Sequence, residues 1–192
     1  GILTAHYTPK NVIDVMFNVL QSLGFNKGNI LEPSAGIGNF IGYMPSKMRS
    51  NSNITAVELD NVTGNILKYL YDDAKTQITG IQNALIANDS QDVVISNVPF
   101  GNFKIFDKEF KGPREFLTKR IHNYFFAKAL DKVREGGIVM FVTSKGILDS
   151  NGNRNVREYL NQNADFLGAV RLPSTAFQNN ANTSVVTDII IL

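Results

Sequence analysis

The feature that most constrains this chain is a series of short apolar runs separated by stretches with helical periodicity. Residues 29–31, 55–59, 92–96 and 137–144 each read as a buried strand, and the last is apolar without interruption from Ile138 to Val142. A weaker strand fits 76–82, and two more fit 166–172 and 185–192. Helical patterns occupy 37–44, 62–74, 121–133 and 156–162, with Pro45 expected to end the first of these. An earlier helix opens at Thr8-Pro9, where Thr8 can cap and a first-turn proline loses no needed N–H. Val12, Val15, Met16, Val19, Leu20 and Leu23 give that helix an apolar face, and Gly24 stops it. Strands that alternate with helices predict an α/β fold with a mainly parallel sheet covered on both faces. The last two strands are joined only by the short polar segment 174–184, so they should pair antiparallel.

The length suits one domain with a substantial core. A net charge of +2 is too small to argue for nucleic acid as a partner by itself. The absence of Cys excludes disulfides and thiolate metal sites. His6 and His122 lack companion ligands, so no metal site is expected. No apolar run reaches the length of a membrane span and no signal peptide is visible, so the expected location is cytoplasmic. The chain starts at Gly1 and stops inside an apolar run, so residues 1–192 read as a domain of a longer polypeptide.

Three segments carry candidate chemistry. Asn97-Val98-Pro99-Phe100-Gly101 follows the strand at 92–96 and so sits at the carboxyl edge of the sheet, where open α/β sheets place ligands. An amide acceptor beside a stacking ring suits an exocyclic amine on a planar heterocycle. A strand followed by a Pro-Gly turn also explains those residues. Glu32-Pro33-Ser34-Ala35-Gly36-Ile37-Gly38-Asn39-Phe40 follows the first strand. Its glycines permit a tight turn and close approach of a ligand, but Ile41 stands where a dinucleotide fingerprint wants a third glycine. Glu32 is a poor neighbour for a pyrophosphate and a good one for a cation, such as the amino or sulfonium group of S-adenosylmethionine. Val57-Glu58-Leu59-Asp60 ends the second strand, with Glu58 spaced to hydrogen-bond ribose hydroxyls and Asp60 either a ligand or a helix cap.

In order and spacing these segments resemble the N6-adenine DNA methyltransferases with the γ order of motifs. His6-Tyr7-Thr8-Pro9 is similar to their N-terminal motif, 32–40 to the glycine-rich cofactor loop, and Asn97 to Phe100 to the catalytic Asn-Pro-Pro-Tyr/Phe motif. Gly136-Gly137, Leu172-Pro173 with Phe177, and Thr187-Asp188-Ile189 resemble the end of the core in type I modification subunits. Methylase domains bearing Asn-Val-Pro-Phe-Gly in large proteins of conjugative elements and phages are similar over nearly the whole chain.

The resemblance implies a Rossmann-like class I methyltransferase fold with seven strands and S-adenosylmethionine as cofactor. It implies DNA as partner, beside further domains of the same polypeptide for target recognition and helicase function. Tyr7, Thr8, Glu32, Ser34, Ala35, Gly36, Gly38, Phe40, Glu58, Leu59 and Asn83 are the implied cofactor residues. Asn97, Val98, Pro99 and Phe100 are the implied catalytic residues. The Asn97 side-chain oxygen and the Val98 carbonyl would accept the N6 hydrogens of a flipped adenine while Phe100 stacks on its ring. Related enzymes acting on a protein glutamine or an RNA base, and a degenerate domain that only binds DNA or a partner, remain alternatives.

Two positions depart from the family pattern. Val98 replaces the first proline of the usual pair. The acid expected after the third strand is missing from Ile81-Gln82-Asn83-Ala84, leaving Gln82 or Asn83 to accept from the cofactor adenine and Asp89 as the nearby acid. The long segment after Gly101 interleaves Lys104, Lys108, Lys111, Arg114, Lys119 and Arg120 with Phe103, Phe106, Phe110 and Phe116. It reads equally as a nucleic-acid surface, with Lys104 on phosphate, or as a solvated loop whose phenylalanines pack inward. Phe177 likewise reads as a wall of the target-base pocket or as one core ring in a turn.

Overall fold

The computed structural model describes residues 8–177 and 186–192. His6, Tyr7 and Val185 lie outside the described residues. The strands are β1 (Asn29–Glu32), β2 (Asn53–Glu58), β3 (Ala74–Ile78), β4 (Gln91–Asn97), β5 (Val133–Ser144), β6 (Gly168–Arg171) and β7 (Thr187–Ile191). They form one seven-stranded sheet in the order β3-β2-β1-β4-β5-β7-β6. β1 to β5 run parallel, and β7 pairs antiparallel with both β5 and β6. The expected sheet and its antiparallel end are both present.

Helices cover both faces. α1 (Lys10–Ser22), α2 (Asn39–Gly42), α3 (Ser46–Ser50) and α4 (Asn61–Leu70) send Ile13, Met16, Phe17, Phe40, Met48 and Leu67 into one core. The strands supply Ile30, Val93, Ile95 and Val142 to the same core. α5 (Ile121–Lys132) and α7 (Arg154–Asn163) pack Tyr124, Phe126, Val156 and Leu160 against Leu31, Val94, Phe141 and Ile190 on the other face. α6 (Gly146–Asp149) follows β5 directly. The alternation of partners along β4, one residue to each core, is the period of a strand buried on both sides.

Several boundaries differ from expectation. The helix at 37–44 shrinks to α2, because Gly38 takes a left-handed φ of 86° at its start. Pro45 then leads into α3 as its N-cap instead of ending the helix pattern outright. β3 begins at Ala74, inside the segment read as helix, and ends before Gly80. Its place at the sheet edge explains the weak signal, since its residues are only partly buried and largely polar. β5 starts at Val133, four residues before the expected Gly137, and passes Gly136 at φ 72°. The segment after Gly101 contains short 3-10 turns at Lys108–Phe110 and Gly112–Lys119, which bury Phe110, Leu117 and Thr118.

Gly38 shows why the glycines of the loop after β1 are not equivalent. A Cβ there would lie 2.4 Å from Tyr71 Cε2 and 2.6 Å from Leu67 Cδ1. Its positive φ and this close approach both require glycine. Gly38→Ala should therefore destabilise the fold by about 2–3 kcal/mol. Thermal unfolding should move down by roughly 5–10 °C, and an unchanged midpoint would contradict the packing described.

Candidate functional site

The sheet order reverses at the seam between β1 and β4. From β1 the chain steps outward to β2 and β3, then returns to lay β4 against the other side of β1. Ile30 and Leu31 face Val93 and Val94 there in parallel register. The two flanking connections diverge above such a seam and leave a crevice at the strands' carboxyl ends. A cleft of about 1050 Å³ occupies that position. Glu32, the last residue of β1, and Asn97, the last of β4, both line it.

On the β1 side the loop is held by its backbone. Ala35 N–H donates to Val57 O at 2.9 Å, and Gly36 N–H donates to Glu58 Oε2 at 2.8 Å. Glu58 Oε1 accepts from Asp60 N–H at 2.8 Å, so one carboxylate ties the loop to the tip of β2. Gly36 sits at φ 55°, and a Cβ there would meet nothing within 4 Å. Because Gly36 lines the cleft, its missing side chain leaves room for a ligand against the backbone. Thr8, Ser34, Ala35, Phe40 and Leu59 line the same wall. Gly38 does not, and its role is the helix packing described above.

Glu32 is the electrostatic anomaly of the site. It is only 3% exposed, and its Oε2 has no hydrogen-bond partner among the described residues. Burial pushes its carboxyl well above the usual range, and the charge of Glu58 adds to the shift. A buried carboxyl without a donor is costly, and a cationic or donating ligand group would relieve it. Asp60 also lines the cleft, but its carboxylate accepts from Thr63 N–H at 2.8 Å and caps α4. That hydrogen bond from Thr63 holds the Asp60 carboxyl below its ordinary value.

After β3, Gly80, Ile81 and Gln82 line the cleft, whereas Asn83 is exposed and outside it. The Gln82 amide folds over Gly80, where a Cβ would lie 2.5 Å from both of its terminal atoms. Asp89 is removed from the cleft altogether. It lies at the opposite end of the strands, beside a second hollow that Val133 to Val139 also line.

On the β4 side, Val98 N–H donates to Val142 O at 3.1 Å and extends the pairing with β5 past Asn97. The Val98 side chain is buried with Phe110, Leu117 and Tyr124. Pro99 and Phe100 line the cleft, and the following segment adds Phe103 and Ile105. The interleaved phenylalanines therefore divide. Phe110 is buried, Phe116 packs edge-on to Tyr159, and Phe106 is exposed beneath Lys111. Lys104 stands outside the cleft and pairs with Glu115 at 2.6 Å on the surface.

Phe177 is buried in the core beside Leu172 and Ala176 and does not line the cleft. His122 is buried at the start of α5, neither ring nitrogen has a hydrogen-bond partner among the described residues, and burial, aided by Arg120, holds it down to about 4. Tyr124 and Phe125 form part of the cleft wall without any local sequence signal. Among the described residues no group of three or more His, Cys, Asp or Glu is placed to hold a metal ion. Among them, too, no helix is long and apolar enough to cross a membrane.

Comparison with known proteins agrees with this geometry. The family described as N-6 DNA Methylase matches residues 4–192. The Defense against restriction protein B of Escherichia phage P1 is 32% identical over 197 residues, covering 100% of this chain. The chain spans only 8% of that relative. A putative class I S-adenosylmethionine-dependent methyltransferase from Listeria monocytogenes superposes with a TM-score of 0.82 at 21% identity, covering 100% of this chain and 62% of that one. The modification subunit of a putative type I restriction enzyme from Vibrio vulnificus gives 0.81 at 19%, covering 100% and 45%. With a Rossmann-like class I methyltransferase sheet and a family match across nearly its whole length, the chain belongs to the N-6 DNA methylase family.

Proposed function

We propose that this chain is the catalytic domain of an S-adenosylmethionine-dependent enzyme that methylates N6 of adenine in DNA. The observation that carries this reading is that Glu32 and Asn97, at the ends of adjacent strands, open into one cleft. A donor loop and an acceptor motif are thereby brought to a single volume. The phage relative is a much larger protein, so a domain of this kind would work beside other modules that choose the DNA target.

The β1 side suits S-adenosylmethionine. The orphaned Oε2 of Glu32 fits the cofactor's α-ammonium group, and the bare backbone at Gly36 leaves space beside it. Glu58 at the tip of β2 would accept from ribose hydroxyls, and the Gln82 amide would meet the cofactor's adenine. Bound there, the cofactor supplies an electrophilic methyl group on a sulfonium.

The chain's own residues would act on the acceptor. The N6 lone pair of adenine is delocalised into the ring and is a weak nucleophile. Asn97 Oδ1 and the Val98 carbonyl would accept the two N–H bonds, localising the lone pair on nitrogen. Held this way, the nitrogen would face the methyl group that the cofactor supplies, and the surplus N6 proton would pass to water. Phe100 would hold the ring by stacking, after the base has left the duplex. Orientation and fixed dipoles supply the catalysis, so no strong base is needed.

Two tests follow from these roles. Incubated with methyl-labelled S-adenosylmethionine and adenine-unmethylated genomic DNA, the chain should place label in DNA adenine. Asn97→Ala should lower that rate at least about 100-fold while cofactor binding persists. Label confined to RNA or to protein would reassign the acceptor, and cofactor binding without any transfer would indicate a binding domain.

Glu32→Gln separates stability from binding. Because burial raises the folded carboxyl above its unfolded value of about 4.3, the Glu32 contribution to stability is fully present only below that pH. It declines as pH rises through the folded value. Gln cannot ionise, so the variant should unfold at higher temperature than wild type at neutral pH, with the gain vanishing toward acid. Cofactor affinity should fall by about 10- to 100-fold, as for loss of a charge-assisted hydrogen bond. Calorimetry across pH, with and without cofactor, reads both effects.

A further inference from the structure

The segment that follows the acceptor motif is fastened to α5 by a buried ionic cluster. Asp107 and Lys128 are each 3% exposed at the side chain, and Lys128 Nζ donates to Asp107 Oδ2 at 2.9 Å. Lys128 also pairs with Glu109 at 2.6 Å, reaching the half-exposed rim of the cluster. Tyr124 O–H donates to the same Asp107 oxygen at 2.7 Å, and Asp107 Oδ1 accepts from Glu109 N–H at 2.9 Å. The Asp107 carboxylate thus binds an ammonium, a phenol and its own backbone.

The surroundings reinforce that junction. The Phe110 ring meets the Tyr124 ring edge-on at 5.1 Å, and the Arg114 guanidinium stacks 3.9 Å above Phe110. Arg114 in turn donates to both carboxylate oxygens of Asp131 on α5 at 2.8 Å. Ile105 N–H donates to Thr118 O at 3.0 Å, closing the segment on itself. A buried ion pair is weak evidence for stability, because desolvation offsets the attraction, but it fixes geometry well. Solvated lysines elsewhere on the segment, such as Lys104, would serve a loop equally if holding its position were unimportant.

Position matters because the same segment builds the cleft. Phe103 and Ile105 line it directly after Phe100, and Tyr124 borders it from α5. Tyr124 therefore borders the cleft and also holds Asp107 through its hydroxyl. Residues of the glycine-rich loop and β2 tip make none of these contacts among the described residues.

We propose that Asp107 is a positioning residue: with Lys128 and Tyr124 it latches segment 101–119 to α5 and sets the acceptor-side wall of the cleft. This rests on the reading of Asn97 to Phe100 as the acceptor site. The donor side is independent of the latch.

The test uses Tyr124→Phe, which keeps the ring and removes the bond to Asp107, and the double variant Asp107→Asn with Lys128→Met, which leaves no buried charge unpaired. Hydrogen exchange should accelerate about tenfold at the amides of Ile105, Glu109 and Phe110 in both variants. Affinity and stoichiometry for S-adenosylmethionine should stay at wild-type values. Methyl transfer to adenine-unmethylated genomic DNA should lose about tenfold, chiefly in kcat, as for a misplaced acceptor. Unchanged exchange, or loosened exchange with unchanged turnover, overturns the proposal. A parallel loss of cofactor binding overturns it too, because the latch would then serve the whole fold. A wild-type chain that labels no DNA adenine overturns both this proposal and the acceptor reading, whereas variants as active as a competent wild type overturn this one alone.

Discussion

Ile30 and Leu31 of β1 pair in parallel with Val93 and Val94 of β4, and every functional feature depends on that seam. A chain that simply added strands in order would have no crevice there. Since β2 and β3 occupy the other side of β1, the return to β4 forces the connections apart at the carboxyl ends. The seam is braced from below by Asp92. Its carboxylate accepts from Asn29 N–H at 2.7 Å and from Arg134 Nε at 2.6 Å, joining the starts of β1, β4 and β5. Hydrophobic pairing fixes register, one charged side chain fixes the ends, and the cleft is the geometric remainder.

The two walls of the cleft are built by different physics. The wall after β1 is mostly backbone, cross-linked by Glu58 to the tip of β2, with a buried carboxyl oxygen that has no partner among the described residues. The wall after β4 is side chain and aromatic, fastened from behind by a buried ion pair. The first arrangement makes a backbone cradle with one buried carboxyl awaiting a partner. The second makes a shaped surface whose position depends on contacts outside it.

The strands with continuous apolar runs were legible from sequence because burial on both faces leaves an unmistakable composition, as Ile138 to Val142 illustrates. β3 was shifted because an edge strand needs little apolar surface, and Lys75, Thr76 and Gln77 look like any solvated segment. The short motifs could be read because strand tips concentrate unusual residue types. Gln82 and Asn83 were indistinguishable, since a single 3-10 turn decides which of two adjacent amides faces the cleft. Asp107 and Lys128 stand 21 residues apart on different elements, and no local pattern announces such a pair. Phe177 and Lys104 had two readings each. Phe177 is a buried ring among core residues, and Lys104 stands in a surface ion pair.

Val98 stands where the family's motif has a proline. A proline has no N–H and could not bond Val142 O, the contact that continues β4 beyond Asn97. The ring and the sheet are thus alternative restraints on one stretch of backbone, one covalent and one borrowed from a neighbouring strand. A motif search that demands two prolines would pass over chains built like this one. The pattern worth searching for is positional: an asparagine at the end of a central strand, followed by a residue whose backbone is held by either means.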